Sequence, residues 1–437
     1  MRGEVWDKAV AYCRQAGTKA LARAAFREVV GCAEQALAAL RHLPESRATQ
    51  EQAIDLRLDL RGALLELGEL RPMLDHLREA ATIAEALGDQ TRRGRVAAFM
   101  CRYLREMGDH DRAVAAGQQA LAVAESLGDV ALRVMAQQFL GVAYYALGDH
   151  RRAMGLLRSN VELLTGELIR ESFGVVGYPA VNSRAWFVRC LAELGAFPEG
   201  GAYGEEAVRI AEAVDHPISR ILAYLGVGFF ALRQRDFFRA IPVLERCLEL
   251  CRVWHSRVWF PEAAAALGCA YAWTGRVPEA FPLLEQAEQR GAAMETLGGQ
   301  SLRVSYVSEA YLRAGRRQEA VHLAGRALAL ARAHKERGYQ AWALRLHGEI
   351  AAQQEPVESE PATQHYQQAR TLAEELGMRP LVAHCHHGLG TLYVGSGSTK
   401  RWRPCTPAMA AGLTDHVWSL KEVLGYRVPP WPQPQMI

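Results

Sequence analysis

Several properties are scarce in this sequence of 437 residues. Aromatic residues make up 8%, and basic and acidic residues nearly cancel at 51 against 48, so the basic excess typical of a nucleic-acid-binding chain is missing. We find no uninterrupted apolar run of about eighteen residues and no charged-then-apolar leader. These absences argue against a membrane span and against a nucleic-acid partner, and they favour the cytoplasm.

Chemical motifs are scarce as well. Nine cysteines are scattered without a CxxC pair, so we expect reduced thiols rather than disulfides. No GxxxxGK[ST] phosphate loop, nucleophile elbow or paired-carboxylate motif occurs. His384 and His387 share one face of a predicted helix, but a zinc site usually needs four ligands. The sequence therefore predicts no metal, no cofactor and no enzymatic activity.

What the chain does contain is a forty-residue period, which is the mark of a repeat architecture. Turn-forming positions recur at this spacing, with one slip of seven residues after the third position. An alanine stands five residues after five of them. The turn positions are Gly68, Gly108, Gly148, Gly195, Arg235, Gly275 and Gly315.

The unit around Gly148 shows what is repeated. Apolar spacing predicts a helix over 131–146, which Gly148 can end in the left-handed conformation. Asp149 can then cap a second helix over about 150–163. Two helices approach to about 8 Å only where the crossing side chains are small, and Gly141 and Ala153 supply such residues. Each unit is therefore predicted to be a helical hairpin.

This pattern resembles the tetratricopeptide repeat (TPR). Leu140-Gly141, Tyr144, Gly148 and Ala153 match the family's order of apolar–Gly–x–x–Tyr, then Gly, then Ala. The family unit has about 34 residues, so the longer unit here lengthens the helices. The resemblance implies an all-α, right-handed superhelical solenoid of about eight to nine TPR-like hairpins with an irregular C-terminal tail.

The domain organisation follows from where the period holds. We expect the repeat array over 1–397, with a first hairpin that turns near Gly17 and a loop insertion near 164–180. Residues 398–437 are rich in proline, and we expect an irregular tail of separate origin there. Two stretches of this tail, 406–418 and 426–431, are faintly similar to the C-terminal ends of insertion-element transposases.

A closer resemblance is to the C-terminal arrays of bacterial adenylate/guanylate cyclase–AAA ATPase regulators, which are MalT-like superhelical arrays. It rests on stretches such as 183–186 (Ser-Arg-Ala-Trp) and 373–386 (Ala-Glu-Glu-Leu-Gly-Met-Arg-Pro-Leu-Val-Ala-His-Cys-His). No ATPase phosphate loop or cyclase domain accompanies these stretches. The resemblance implies a detached regulatory part of such a protein.

The binding surface is expected on the first helix of each hairpin, because first helices line the concave face of such arrays. Arginines there could hold a carboxylate-rich peptide through forked hydrogen bonds, although a solvated basic face explains any single arginine equally well. We predict a non-catalytic scaffold or sensor of bacterial signal transduction that binds a protein or peptide in its groove. A small-molecule effector stays open as the alternative. The candidate groove residues are Arg184, Trp186, Arg189, Tyr224, Trp259, Arg303, Tyr306, Trp342 and Arg345.

Overall fold

The computed structural model describes residues 2–294, 296–354 and 356–395. Every secondary-structure element among these residues is a helix, as predicted: nine hairpins and one further helix wind into a superhelix of TPR type. The predicted tail at 398–437 lies outside the described residues. The hairpins are α1 (Arg2–Ala22) with α2 (Phe26–Leu40), α3 (Arg47–Leu67) with α4 (Leu70–Ala86), α5 (Gln90–Glu106) with α6 (His110–Leu127), α7 (Val130–Leu147) with α8 (His150–Leu163), α9 (Pro179–Leu194) with α10 (Phe197–Val214), α11 (Pro217–Gln234) with α12 (Phe237–Val253), α13 (Phe260–Trp273) with α14 (Val277–Ala292), α15 (Gln300–Arg313) with α16 (Arg317–Ala333), and α17 (Arg337–Ala352) with α18 (Ser359–Leu376); α19 (Arg379–Gly395) follows.

The seven turn positions all adopt left-handed backbone, with φ between +57° and +87°. Six of them are glycines, which take this conformation without strain, and the seventh is Arg235. At the turn after α7, the Gly148 N–H bonds back to the last helical turn, and the Asp149 carboxylate accepts from the Arg152 N–H at 3.1 Å to start α8. The local signals of the sequence therefore fix the helix ends.

The predicted turn near Gly17 is wrong. Helix α1 continues to Ala22, and the chain turns at Arg23–Ala25, where Ala24 has φ +53°. Gly17 lies inside α1 and faces α2, where a Cβ built on it would make an ordinary contact of 3.5 Å with the Cβ of Cys32. A glycine inside a helix has the same local signature in the sequence as a glycine that ends one.

Small residues bring the two helices of a hairpin together, as the repeat pattern predicts. A Cβ on Gly141 would lie 3.0 Å from Leu157 Cγ, and a Cβ on Gly228 would lie 2.4 Å from Leu244 Cδ2. The alanines five residues after the turns, such as Ala153 and Ala240, are fully buried at these crossings. Each hairpin then packs its apolar side against the hairpins before and after it.

Successive turns of the superhelix contact each other along its axis. The C-terminal end of each of four first helices meets the start of the first helix five hairpins later, so α3 meets α13, α5 meets α15, α7 meets α17 and α9 meets α19. At one of these contacts the Glu106 carbonyl accepts from the N–H groups of Leu297 and Gly298, both at 2.9 Å. We call this set of contacts the seam.

A buried carboxylate reinforces the seam. The Glu336 carboxylate is fully buried, accepts from the Gly299 N–H at 3.0 Å and lies 3.3 Å from the His110 ring. At the last of the four contacts, between α9 and α19, Arg379 donates to the carbonyls of Leu194 and Gly195 at 2.9 and 3.0 Å. A search of the described helices finds none that combines the length and apolar character of a membrane span.

Candidate binding site along the superhelix axis

The first helices direct charged and aromatic side chains toward the axis, where they meet side chains from distant hairpins. Glu193 in α9 accepts from Arg233 Nε in α11 and from Trp342 Nε1 in α17, both at 2.9 Å. The Arg233 guanidinium also lies 4.1 Å from the centre of the Trp342 ring. All three side chains are buried. Because α17 is four hairpins after α9, this contact bridges the interior of the superhelix.

A second group lies beside the first. The Arg189 guanidinium pairs with Glu262 and lies 4.6 Å from the ring centres of both Trp186 and Phe229. Trp186 in turn packs edge-on against Tyr145. Since guanidinium and indole groups recognise carboxylates and cations when they are free, the middle of the channel has binding chemistry, but its guanidinium groups are already paired, Arg189 with Glu262 and Arg233 with Glu193.

The structure brings seven of the nine predicted groove residues to the axis. Their contacts are with one another or with other inner-face residues, and six of the seven are buried, with Arg303 half-buried. These residues are Trp186, Arg189, Trp259, Arg303, Tyr306, Trp342 and Arg345.

Arg184 and Tyr224 do not reach the axis. Arg184 is buried between hairpins, where it donates to the Ala180 and Val161 carbonyls at 2.9 and 3.3 Å. It therefore holds the chain at the end of α8. Tyr224 donates to Glu212 in α10 at 2.9 Å, on the side of α11 away from the inner face. Both residues belong to first helices, but they occupy faces that pack against neighbouring second helices.

The connection between α8 and α9 fills the N-terminal part of the channel. After a 3-10 helix over Gly166–Arg170, the segment 172–177 runs along α3. The Gly174 carbonyl accepts from Arg61 at 2.6 Å, and the Val175 side chain is buried. A cavity of about 200 Å³ remains between this segment, α1 and α3. The segment thus occupies space that a bound chain would need.

The C-terminal part of the channel is open. A cavity of about 460 Å³, which we call the C-terminal cavity, lies between the ends of α11, α13, α15 and α17 and the side of α19. Its charged and aromatic lining consists of Arg235, Trp273, Arg313, Arg345, Glu349, Tyr366, His384 and His387.

Arginine dominates the electrostatics of the C-terminal cavity. Glu309, behind the wall, accepts from Arg345 at 3.0 Å. Burial opposes the charge of Glu309, yet the guanidinium groups of Arg345, Arg235 and Arg313 lower its pKa. Burial and then the charges of Arg235 and Arg345 hold the pKa of His384 well below its usual range. The site therefore favours anions, and its imidazole at His384 is neutral at pH 7.

Sequence reasoning missed most of this cavity, although a signal was present. The residue two positions before a turn points to the axis. The forty-residue period places an equivalent position in the next hairpin. Arg235 was recognised as a turn position and not as a binding residue. The residues at this position are Glu66, Glu106, Ala146, Glu193, Arg233, Trp273 and Arg313.

The residues that could hold a metal are spread out. Among the described residues no group of three His, Cys, Asp or Glu side chains has the geometry of a metal site. His384 packs against the Trp342 ring at 5.7 Å between centroids, and His387 faces the C-terminal cavity. Cys247 donates to the Ile221 carbonyl at 3.5 Å, and Cys251 is buried.

Solved structures with the same architecture share little sequence with this chain. A Rap protein complexed with the competence and sporulation factor superposes with a TM-score of 0.64 at 14% identity, over 84% of this chain and 98% of that one. This chain has a TPR-type repeat fold. The Rap conjugation gene regulator of the plasmid pLS20, in complex with the Phr* peptide, gives 0.52 at 12% identity, over 86% and 95%.

A third structure is less similar. A signal transduction ATPase with numerous domains (STAND) from Pyrococcus horikoshii, which has a tetratricopeptide repeat sensor, gives a TM-score of 0.45 at 13% identity, over 84% of this chain and 54% of that one. No protein-family model matches the sequence, and no curated protein matches it. The similarity therefore concerns the fold, and function has to be argued from the channel.

Proposed function

We propose that this chain is a non-catalytic scaffold that binds a peptide or an extended protein segment inside its superhelix. The observation that carries this proposal is the channel itself: its interior is lined with arginine, tryptophan and tyrosine, and it opens at the C-terminal cavity of about 460 Å³. Proteins bind extended peptides with the forked guanidinium groups of arginine and with the faces of aromatic side chains. Two similar structures were solved with the competence and sporulation factor or the Phr* peptide bound.

The role we propose is regulatory. Burial of a ligand along the axis would contact several first helices at once, and these helices also form the seam. Ligand binding would therefore be coupled to how tightly successive turns of the superhelix pack. A scaffold of this kind suits a part of a bacterial cyclase or ATPase regulator, the context that the sequence resemblance suggests.

A peptide selection tests the proposal. The full chain is immobilised and offered a random heptapeptide library displayed on phage, and enriched peptides are synthesised and measured by fluorescence anisotropy. We expect enriched peptides whose affinity falls when Arg345 is changed to alanine, since Arg345 lies in the wall of the open end. The control is Arg246→Ala on the outer face of α12, which removes the same charge. Failure to enrich any peptide would contradict the proposal.

A small-molecule effector is the second candidate, because the volume of the C-terminal cavity falls in the range of about 300–1,000 Å³ that small-ligand sites occupy. A thermal-shift screen against a metabolite collection separates the two candidates. An increase in melting temperature with a metabolite, lost in Arg345→Ala, would favour the effector. Binding confined to peptides would favour the scaffold.

A further inference from the structure

We propose that the C-terminal cavity is a carboxylate-binding site and that Arg235 is the residue that takes the carboxylate of a bound acidic peptide. This inference rests on the proposed function, because it names the part of the peptide that is recognised and the residue that recognises it. The inference does not depend on the middle of the channel, which the protein's own side chains occupy. Three observations support it: the charge count of the cavity, the backbone of Arg235 and the aromatic wall.

The cavity holds more positive than negative charge. Three guanidinium groups, those of Arg235, Arg313 and Arg345, meet in it. Within the described part of the chain, the carboxylates facing them are Glu309 and Glu349, and both are already paired: Glu309 with Arg345, and Glu349 with Arg345 and Arg313. Among the described residues no carboxylate forms a close ion pair with Arg235, although the charge of Glu309 acts on it from behind the wall. With three guanidinium groups and two carboxylates, the C-terminal cavity has an excess of one positive charge.

The backbone of Arg235 points to the same role. It stands at a turn position with φ +57°, where the other six turns have glycine. The turn itself uses only the Arg235 N–H, which bonds to the carbonyls of Ala231 and Leu232. The turn requires left-handed backbone but does not require an arginine, and a non-glycine residue held there at a conformational cost is a reason to look for function. Here the strained residue places its guanidinium in the cavity.

The aromatic wall holds the arginines in place. The Arg235 and Arg313 guanidinium groups lie 4.3 and 3.7 Å from the centre of the Trp273 ring. The Nε atoms of Arg313 and Arg345 are buried and lack an acceptor among the described residues. A carboxylate in the cavity would therefore find donors that are already oriented, which lowers the entropy lost on binding.

The excess charge also selects the ligand. One carboxylate neutralises the excess, whereas a phosphate dianion would set a second negative charge beside Glu309 and Glu349. The chain's own C-terminal segment is a poor occupant on charge, because residues 398–437 contain five basic and two acidic residues. An acidic peptide from another molecule fits the site better.

The test compares matched peptide pools on the full chain. One fluorescein-labelled hexapeptide pool carries Asp and Glu with a free C-terminus, and the other carries Asn and Gln with an amidated C-terminus. We expect the acidic pool to bind more tightly to the wild type. In Arg235→Gly, its affinity should fall about tenfold to a hundredfold, the loss typical of one charged hydrogen-bonding partner. The amide pool should bind both proteins alike.

Two control variants separate this role from general effects. Asp215→Gly replaces another residue with positive φ, far from the cavity in the turn after α10, and Arg246→Ala removes one positive charge from the outer surface. Both should bind the acidic pool as the wild type does. Arg235→Gly introduces the glycine that the other turns use, so it should fold, and its melting temperature and helical circular dichroism verify this.

The outcomes are distinct from those of the proposed function. If both pools bind equally, or if Arg235→Gly leaves the affinity for the acidic pool unchanged, the carboxylate site is wrong while peptide binding stands. If neither pool binds, both proposals are wrong. Succinate and inorganic phosphate serve as competitors at equal concentration: displacement of the acidic pool by phosphate and not by succinate would also overturn the assignment.

Discussion

Single residues at the axis carry charge into the interior of the superhelix. Glu66, two positions before the turn after α3, is buried and accepts from Ser256 Oγ at 3.4 Å. Burial raises the pKa of Glu66 to about 7; the nearby Arg102 charge works against this shift, and Glu106 adds to it. A carboxyl group whose folded pKa exceeds its unfolded value binds a proton more tightly in the folded state. Its protonated form is therefore the stabilising one.

We predict that Glu66 makes the protein less stable as the pH rises from about 5 to 8. Across this window the folded state keeps the Glu66 proton up to about pH 7, while the unfolded chain has already lost it. The free energy of unfolding should fall by about 2 kcal/mol more in the wild type than in Glu66→Gln, as a shift of this size implies. Urea unfolding at pH 5, 6, 7 and 8 measures the difference.

The exposed Glu125 on α6 offers the matched control. Glu125→Gln should keep the pH dependence of the wild type. Equal slopes in wild type and Glu66→Gln would show that Glu66 is ionised throughout the range.

At the scale of helices and segments, the sequence predicts those features that are determined by residues close together in the chain. The expected helices at 131–146 and 150–163 agree with α7 and α8 to within one residue, because Gly148 and Asp149 determine both ends. The course of segment 172–177 could not be predicted in this way. It depends on Arg61, which is 113 residues away from Gly174 in the sequence.

The candidate site likewise includes residues that the sequence predicts and a cavity that depends on distant parts of the chain. Trp186, Arg189, Trp342 and Arg345 were predicted because first helices line the inner face. Helix periodicity alone does not tell which face turns inward, and so it also selected Arg184. The forty-residue period could have indicated lining residues such as Trp273 and Arg313, but the C-terminal cavity itself was not predictable, since it forms only where α11, α13, α15, α17 and α19 converge.

We predict that Gly62→Ala releases segment 172–177 from the channel. A Cβ on Gly62 would lie 2.6 Å from Val176 Cγ2, too close for both to remain in place. Overpacking of this kind costs about 1–3 kcal/mol, so amide exchange in 172–177 should become about tenfold faster or more. Hydrogen–deuterium exchange with mass spectrometry measures it.

Gly155→Ala in α8 is the control, because its Cβ would meet no atom within 4 Å. It should leave the exchange of segment 172–177 unchanged. Protection of the segment in Gly62→Ala equal to that of the wild type would mean that the segment is held by contacts other than those with α3.

For the whole molecule, the seam changes how stability is distributed. In an open repeat array, stability is close to a sum of contacts between neighbouring repeats. Here α5 also contacts α15, and the His110–Glu336 pair joins residues 226 positions apart. Hairpins on successive turns of the superhelix are therefore expected to unfold together.

We predict that Gly298→Ala opens the seam. A Cβ on Gly298 would lie 2.4 Å from the Arg105 carbonyl oxygen, and backbone atoms on both sides leave little room for adjustment. We expect a larger radius of gyration in small-angle X-ray scattering and a loss of about 1–3 kcal/mol in unfolding free energy. Gly325→Ala in α16, where the added Cβ meets open space, should change neither. An unchanged radius in Gly298→Ala would show that the turns adjust locally.

The seam also orders events during synthesis of the chain. The contact surfaces around Glu66 and Glu106 are completed by Ser256 and Leu297, which are translated about 190 residues later. At about 5–20 residues per second, the ribosome needs roughly 10 to 40 seconds to supply those partners. During that interval the C-terminal ends of α3 and α5 lack these partners. A nascent chain of this protein therefore presents a charged and aromatic surface to chaperones long after its first hairpins have formed.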